Sequence, residues 1–530
     1  MNENAHRSAL SRGEFVYSAE LVLGRDHDIP DTERFIREAA ADPAGIRIVS
    51  ATDLPGGNPA LPPEAFLSSA LAQGLTPIAH LTGKDGNRAF LEGRLLALAR
   101  TGAHNVLCLT GDAQREGFEG AGKPVFDLDS VLILNLVSAM RDGIEYNMGR
   151  RALQATPFDF FPGAVVNPYK QREPDQMMQL YKLELKIASG ARYVLTQLGF
   201  NLRKLYELKQ YLRREGLGQV PIIPSVYVPT ATSARRMDEG LVAGCVVPEA
   251  LLRALQSEEK PERLERAALM VAAIRDLGFA GAHIGGHGLS HADIMRIIDR
   301  ARGIGTGWRA RLDELILATP GEYYIFPQGP DGFSDDTQPY RVGSEPGSPG
   351  LLQRACILVN RLMIADGSPG ARFFAERLKP ANGRAWQRGF WHDILAAADL
   401  FKKDAFGCVQ CGDCTADHLG YTRCSQGDCC KETRNGPCGG SRPDGTCEVN
   451  PERPCVWNLA YQAARARGED GRRYAETLVP PRDWSLNRTT SLANHYRRLD
   501  NAARRRTVSA RAATADGERD TAPEPALSRE

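Results

Sequence analysis

The stretch ARYVLTQLGFNLRKLYELKQYLRREGLGQVPIIPSVYV (191–228) carries a strand, a helix and a strand in succession. ARYVLTQ (191–197) and VPIIPSVYV (220–228) are short apolar, β-branched runs, whereas NLRKLYELKQYLRREG (201–216) spaces its apolar residues at helical intervals. The same alternation continues on both sides. Strand patterns fall at FVYSAELVL (15–23), GIRIVSA (45–51), LTPIAHL (75–81), HNVLCLTG (104–111), FFPGAVV (160–166) and GAHIGG (281–286). Helical spacing lies between them at AFLEGRLLALARTG (89–102), DQMMQLYKLELKIASGA (175–191) and ERAALMVAAIRDLG (265–278). Eight strands, each followed by a helix, predict an α/β fold, a (β/α)8 TIM barrel over residues 14–305. The alternative, a doubly wound open sheet, lacks the G-x-G-x-x-G turn expected after its first strand.

A chain of 530 residues holds at least two domains. Residues 1–13 are expected to be disordered, 306–405 to connect, 406–506 to form a cysteine-rich domain with helical, Arg-rich sequence at its end, and 507–530 to be a disordered tail. The net charge of +1 and pI near 7.6 argue against nucleic acid or an anionic membrane as the main partner. The N-terminus MNENAHRSALSRGEFVYS has no continuous apolar core, and no segment approaches the ~18 apolar residues of a membrane span. The expectation is a cytoplasmic protein.

Nine of the twelve cysteines fall between residues 408 and 455. In a reducing compartment such density points to metal rather than disulfides, and Cys408-x2-Cys411-x2-Cys414 lets successive thiolates wrap one centre. Zinc and an iron–sulfur cluster both take four thiolates, and spacing does not choose between them. Cys408, Cys411, Cys414 and Cys424 are the candidate ligands. Nine thiols exceed four, which fits one centre plus structural thiols, or two centres.

A barrel of this kind places its active site at the C-terminal ends of its strands. That rule selects Glu20, Thr52, Asp53, His80, Thr110, Gly111, Asp112, Asn167, Gln197 and His283, with Lys186 on the helix before strand six. Singly, a strand-end Asp is often a helix cap and a strand His a bonded core residue, but such groups end most of the strands.

In order and spacing, SAE (18–20), VSAT (49–52), AHLT (79–82), LTGD (109–112), KP (123–124), VNP (166–168) and ARYVLTQ (191–197) resemble the flavin-dependent methylenetetrahydrofolate reductases. NGPCGG (435–440), GTCEV (445–449) and PCVW (454–457) resemble the C-terminal module fused to some of these enzymes, and the small subunit of two-subunit forms fed through metal centres. The resemblance implies reduction of 5,10-methylenetetrahydrofolate to 5-methyltetrahydrofolate, or the reverse, in one-carbon metabolism and methionine biosynthesis. It further implies a homo-oligomer with FAD or FMN, whose donor is NAD(P)H or an iron–sulfur protein. By the same resemblance Glu20 is the acid, Asp112 orients the pterin and tunes the flavin, and Gln197 positions folate and nicotinamide. Thr52, His80, Thr110, Gly111, Asp112 and Lys186 match flavin-contacting positions. The chain departs from the family at Leu21–Gly24, where Phe-Phe-Pro-Pro is usual, at Thr110 for arginine, at Asp127 for an aromatic, and at Asn167 for histidine. Those departures keep two rivals in view: an iron–sulfur electron-transfer or assembly subunit with an inactive barrel, and a folate or corrinoid methyltransferase.

Overall fold

The computed structural model describes residues 4–27, 29–341, 350–378 and 389–514. Eight parallel barrel strands are β1 (Val16–Leu21), β2 (Ile48–Ala51), β3 (Thr76–Thr82), β4 (Asn105–Leu109), β5 (Phe161–Val166), β6 (Tyr193–Thr196), β7 (Ile222–Ile223 with Ser225–Tyr227) and β8 (Gly281–Gly285). Each pairs with its neighbour in chain order, and β1 closes on β8. Pro224 splits β7: Ile222 and Ile223 pair with β6, and Ser225–Tyr227 pair with β8. The fold is the expected (β/α)8 barrel, with helices around it and a C-terminal helical region that contains the cysteines.

Strand residues alternate between two apolar environments, which is why the strands read as continuous apolar runs. Ala19, Val49, Ala79, Val106, Ala164, Val194 and Ile284 face the helices. Val16, Ile48, Ile78, Leu107, Phe161, Tyr193 and Ile223 fill the base of the barrel. Gly163 has no side chain because a Cβ there would lie 2.3 Å from the Tyr193 ring. Above this layer the interior turns polar, with Ser18, Ser50 and His283 and then Glu20 and His80.

Three expectations are corrected. Residues 4–13 are ordered: helix Ala5–Ser11 is capped by the Asn4 side chain and plugs the base. His6 meets the Tyr193 ring edge-on at 4.6 Å, and Ala9 and Leu10 pack on the same apolar layer. A seven-residue helix is too short to show periodicity, but the open base rewards its burial. The region 306–405 is not a separate connector. Trp308, Ile325, Phe326 and Phe333 join the barrel core, and Glu207 accepts from the Phe326 amide (3.0 Å) and the Ser334 hydroxyl (2.7 Å). Helices Pro369–Arg377 and Phe390–Phe406 instead pack Phe374 and Leu395 against Ala493 and Tyr496 of the C-terminal region. The tail is structured at its start, where Thr507 pairs with Thr477; residues 515–530 lie outside the described residues. Among the described residues no helix is long and apolar enough to cross a membrane.

Candidate functional site

Glu20 projects from β1 into the barrel at its C-terminal end. Gly285, across on β8, makes room for it: a Cβ there would stand 3.0 Å from Glu20 Oε2. One ligand atom each from Glu20, His80 and His283 lie within 4.8 Å of one another. His283 is held by Ser18 Oγ at 2.8 Å from Nδ1 and Ser50 Oγ at 3.4 Å from Nε2. The parallel register delivers this contact directly, pairing Ser18 with His283.

Burial decides the charges. It pushes the Glu20 carboxyl up to about 7 and the imidazoles of His80 and His283 down to about 4 and about 3. Near neutral pH the site therefore holds two neutral imidazoles beside a carboxyl poised to give or take a proton. His80 Nε2 and Thr52 Oγ1 are buried without a hydrogen-bond partner among the described residues. Such orphans at the barrel mouth fit a polar ligand, as a flavin would be.

The other predicted positions divide. Gly111 takes φ +89°, and a Cβ would lie 2.9 Å from the Thr82 side chain, so only glycine fits this turn. Asp112 follows it with its side chain 43% exposed at the mouth. Gln197 donates to the Ala243 carbonyl (3.3 Å) and accepts from the Leu198 amide (2.9 Å). Thr110 faces Ser130 at the start of helix Ser130–Arg141, its hydroxyl oxygen accepting from the Ser130 amide at 3.3 Å. Asp53 is structural: it accepts from the Thr82 amide and hydroxyl and pairs with Arg94 at 3.0 Å. Lys186 donates to the Val165 carbonyl, which holds it in the wall between its helix and β5. Asp127, at the aromatic position, is bound by Arg88 and by the Trp484 indole.

The cysteine-rich region sits over this mouth. The Asp129 carboxylate accepts from the amides of Arg434 (3.0 Å) and Asn435 (2.9 Å). Asn167 donates to the carbonyls of Gly244 (2.8 Å) and Gly439 (3.2 Å). Lys431 reaches the Gly111 carbonyl at 2.7 Å, pairs with Glu448 and stands 3.9 Å from Asp112. Sequence reasoning missed Asp129 and Lys431, whose roles depend on partners some 300 residues away. Of the predicted metal ligands, Cys411 is buried and Cys408, Cys414 and Cys424 are half-buried, and the Gln410 amide points at Cys408 Sγ from 3.4 Å.

The sequence model of the methylenetetrahydrofolate reductase family matches residues 6–284, and that of the methylene-tetrahydrofolate reductase C terminal matches residues 392–485. The chain belongs to the methylenetetrahydrofolate reductase family. No curated protein matches it. Among solved structures, the chain is similar to an uncharacterized protein from Clostridium thermocellum that binds two copies of 5-methyl-5,6,7,8-tetrahydrofolic acid, at 15% identity and TM-score 0.39, over 57% of this chain and 99% of that one. Tryptophan synthase from M. tuberculosis follows at 12% and 0.29, over 58% and 96%. A putative lyase/mutase from Burkholderia cenocepacia J2315 follows at 15% and 0.29, over 60% and 93%. None of the three is near enough to bear on what this family member does.

Proposed function

We propose that this chain interconverts 5,10-methylenetetrahydrofolate and 5-methyltetrahydrofolate, with a flavin, FAD or FMN, bound at the barrel mouth. The observation that carries this reading is Glu20, a carboxyl whose proton affinity burial raises to about 7, inside a barrel of this family. In the reducing direction Glu20 gives its proton to the N10 side of the pterin as the methylene bridge opens to an iminium. The neutral imidazoles of His80 and His283 leave that proton on Glu20, because neither competes for it near pH 7. Asp112 orients the pterin from the exposed rim, and Gln197 borders the folate and any nicotinamide. Thr52, His80, Thr110, Gly111 and Lys186 line or support the flavin. A bound flavin would supply the hydride to the one-carbon unit. Cys408, Cys411, Cys414 and Cys424 hold a metal centre.

The test is anaerobic absorbance near 450 nm of the purified protein as 5-methyltetrahydrofolate is added. Bleaching is the expected result, because the reverse reaction delivers hydride to the flavin without any added donor. A yellow protein that stays oxidised, or a colourless one, refutes the proposal.

A further inference from the structure

One helix in the C-terminal half is apolar almost all round and buries nothing. LLQRACILV forms helix Leu351–Val359, and NRLMI continues it as a π-helical turn, Asn360–Ile364. Among the described residues none of these side chains is buried, and none joins an apolar core. A helix without a polar face ordinarily lies in an interior. Polar bonds hold this one in place instead. Gln353 donates to the Gly420 carbonyl (2.7 Å) and Asn360 to the Tyr421 hydroxyl, and the Tyr496 hydroxyl donates to the Met363 carbonyl (2.9 Å).

Helix Phe390–Phe406 continues the same surface. Its inner side is anchored, with Leu395 and Phe406 buried, but Phe390, Ile394, Leu400 and Phe401 are exposed. The two helices wall one cavity of about 630 Å³, with Leu352 and Val359 on one side, Ala398 and Phe401 on the other, and Tyr421 and Leu492 completing it. That cavity takes up only part of the apolar surface. Leu351, Leu358, Phe390 and Leu400 do not line it and are exposed, Leu351 by 85% and Phe390 by 69%.

Of the 22 large apolar side chains exposed among the described residues, ten belong to these two helices. At ~200 Å² for a fully exposed side chain of this size, the ten present on the order of 1,000 Å². The largest apolar patch of a monomer is ~300–600 Å², whereas a stable contact buries ~800 Å² on each partner. The patch is therefore of the size that two proteins share.

Whatever covers it must reach both sides of residues 351–364. A small molecule in the cavity would leave Leu351, Leu358, Phe390 and Leu400 in water. The longer segments outside the described residues, 342–349, 379–388 and 515–530, contain Val342, Trp386 and Leu527 as their large apolar residues, too few to cover ten. Charge points to a second copy. Residues 351–364 carry Arg354 and Arg361 and no acid, whereas 390–406 exposes Asp393 and Asp404 against Lys403, its Asp399 and Lys402 being paired with each other at 2.9 Å. A two-fold axis that lays each helix on its unlike counterpart brings these opposite charges together twice.

We propose that residues 351–364 and 390–406 form a contact between two copies of this chain, with 351–364 of each copy lying along 390–406 of the other. The contact is isologous and closes at two copies. It goes beyond the proposed folate chemistry and does not depend on it.

The test is sedimentation equilibrium of the purified full chain at micromolar concentration. Wild type is expected to be a dimer. Leu358→Arg introduces a charge into the contact once on each copy, and should raise the dissociation constant at least hundredfold, leaving the 58.0 kDa monomer. Because Leu358 is exposed, that monomer should keep the wild-type circular dichroism spectrum and the wild-type response to 5-methyltetrahydrofolate. Leu96→Arg, at an exposed leucine of the barrel helix Arg88–Thr101, should leave the dimer intact. Arg354→Glu with Arg361→Glu should weaken the dimer at least tenfold, and adding Asp393→Arg and Asp404→Arg should restore it. A wild-type monomer, a dimer that Leu358→Arg does not dissociate, or a dimer that Leu96→Arg does dissociate overturns the proposal. Failure of the four-fold charge exchange to restore the dimer overturns the pairing of unlike helices. A wild-type monomer that sediments with phosphatidylcholine vesicles overturns it in favour of a membrane surface.

Discussion

Glu20→Gln should make the protein a worse catalyst and a more stable fold at the same time. Burial raises the Glu20 carboxyl from 4.5 to about 7, so its ionised form is disfavoured in the folded state. Stability from this group is intact below pH ~4.5, falls as pH rises through the window up to ~7, and is fully lost above it. At about 1.4 kcal/mol per pK unit the loss comes to ~3 kcal/mol, and ~2 after allowing for the partial exposure of the carboxyl. Glutamine keeps the shape and never ionises. The variant should therefore melt about 2 °C higher than wild type at pH 8, and within a degree of it near pH 4.5. The forward half-reaction reports the catalytic side: anaerobic protein with pre-reduced flavin is mixed with 5,10-methylenetetrahydrofolate, and recovery of absorbance near 450 nm is followed. Loss of a general acid predicts recovery ~10²–10⁴-fold slower. In wild type the rate should fall about tenfold per pH unit above 7, where Glu20 is ionised, and in the variant this dependence should vanish. Unchanged recovery, or a variant that melts lower at pH 8, refutes the assignment of Glu20 as a buried, protonated acid.

Three further outcomes follow from packing and charge. Gly163→Ala places a methyl against the Tyr193 ring and should cost ~1–3 kcal/mol, read as a lowered melting temperature. Lys431→Met strands the Glu448 carboxylate, only 8% exposed, at a cost of ~3–5 kcal/mol; limited proteolysis should then release the cysteine-rich region before the barrel is cut. Removing residues 1–12 uncovers the apolar base around Phe161 and Tyr193 and should cost ~2–3 kcal/mol, measured by urea unfolding.

All eight barrel strands were legible because each is buried on both faces and reads as a short apolar run. Glu20, His80 and His283 were legible as polar residues in such runs, and the structure draws them together. Elements fixed by distant partners were not. Helix Ala5–Ser11 has too few residues to show a period, and its order comes from Tyr193 and Phe161. The segment 306–405 looked like a linker because nothing local shows that Phe326 belongs to the barrel while Leu395 belongs with Tyr496. Asp53 and Asp112 both follow strands, and only Arg94, folded back onto Asp53, reveals which is structural.

Pro224 leaves the ring of strands with a seam. A proline has no N–H to give the ladder, so β7 reaches β6 through two residues and β8 through three. A closed cylinder that opens does so where the fewest bonds must break together, and here that place borders His283 on β8. Solvent deuterium should thus enter the cylinder first along Ile222–Tyr227, and a chain recut with new termini at Pro224 should still close. The acid site is built beside this joint, on the strands next to the place where the fewest ladder bonds hold the barrel shut.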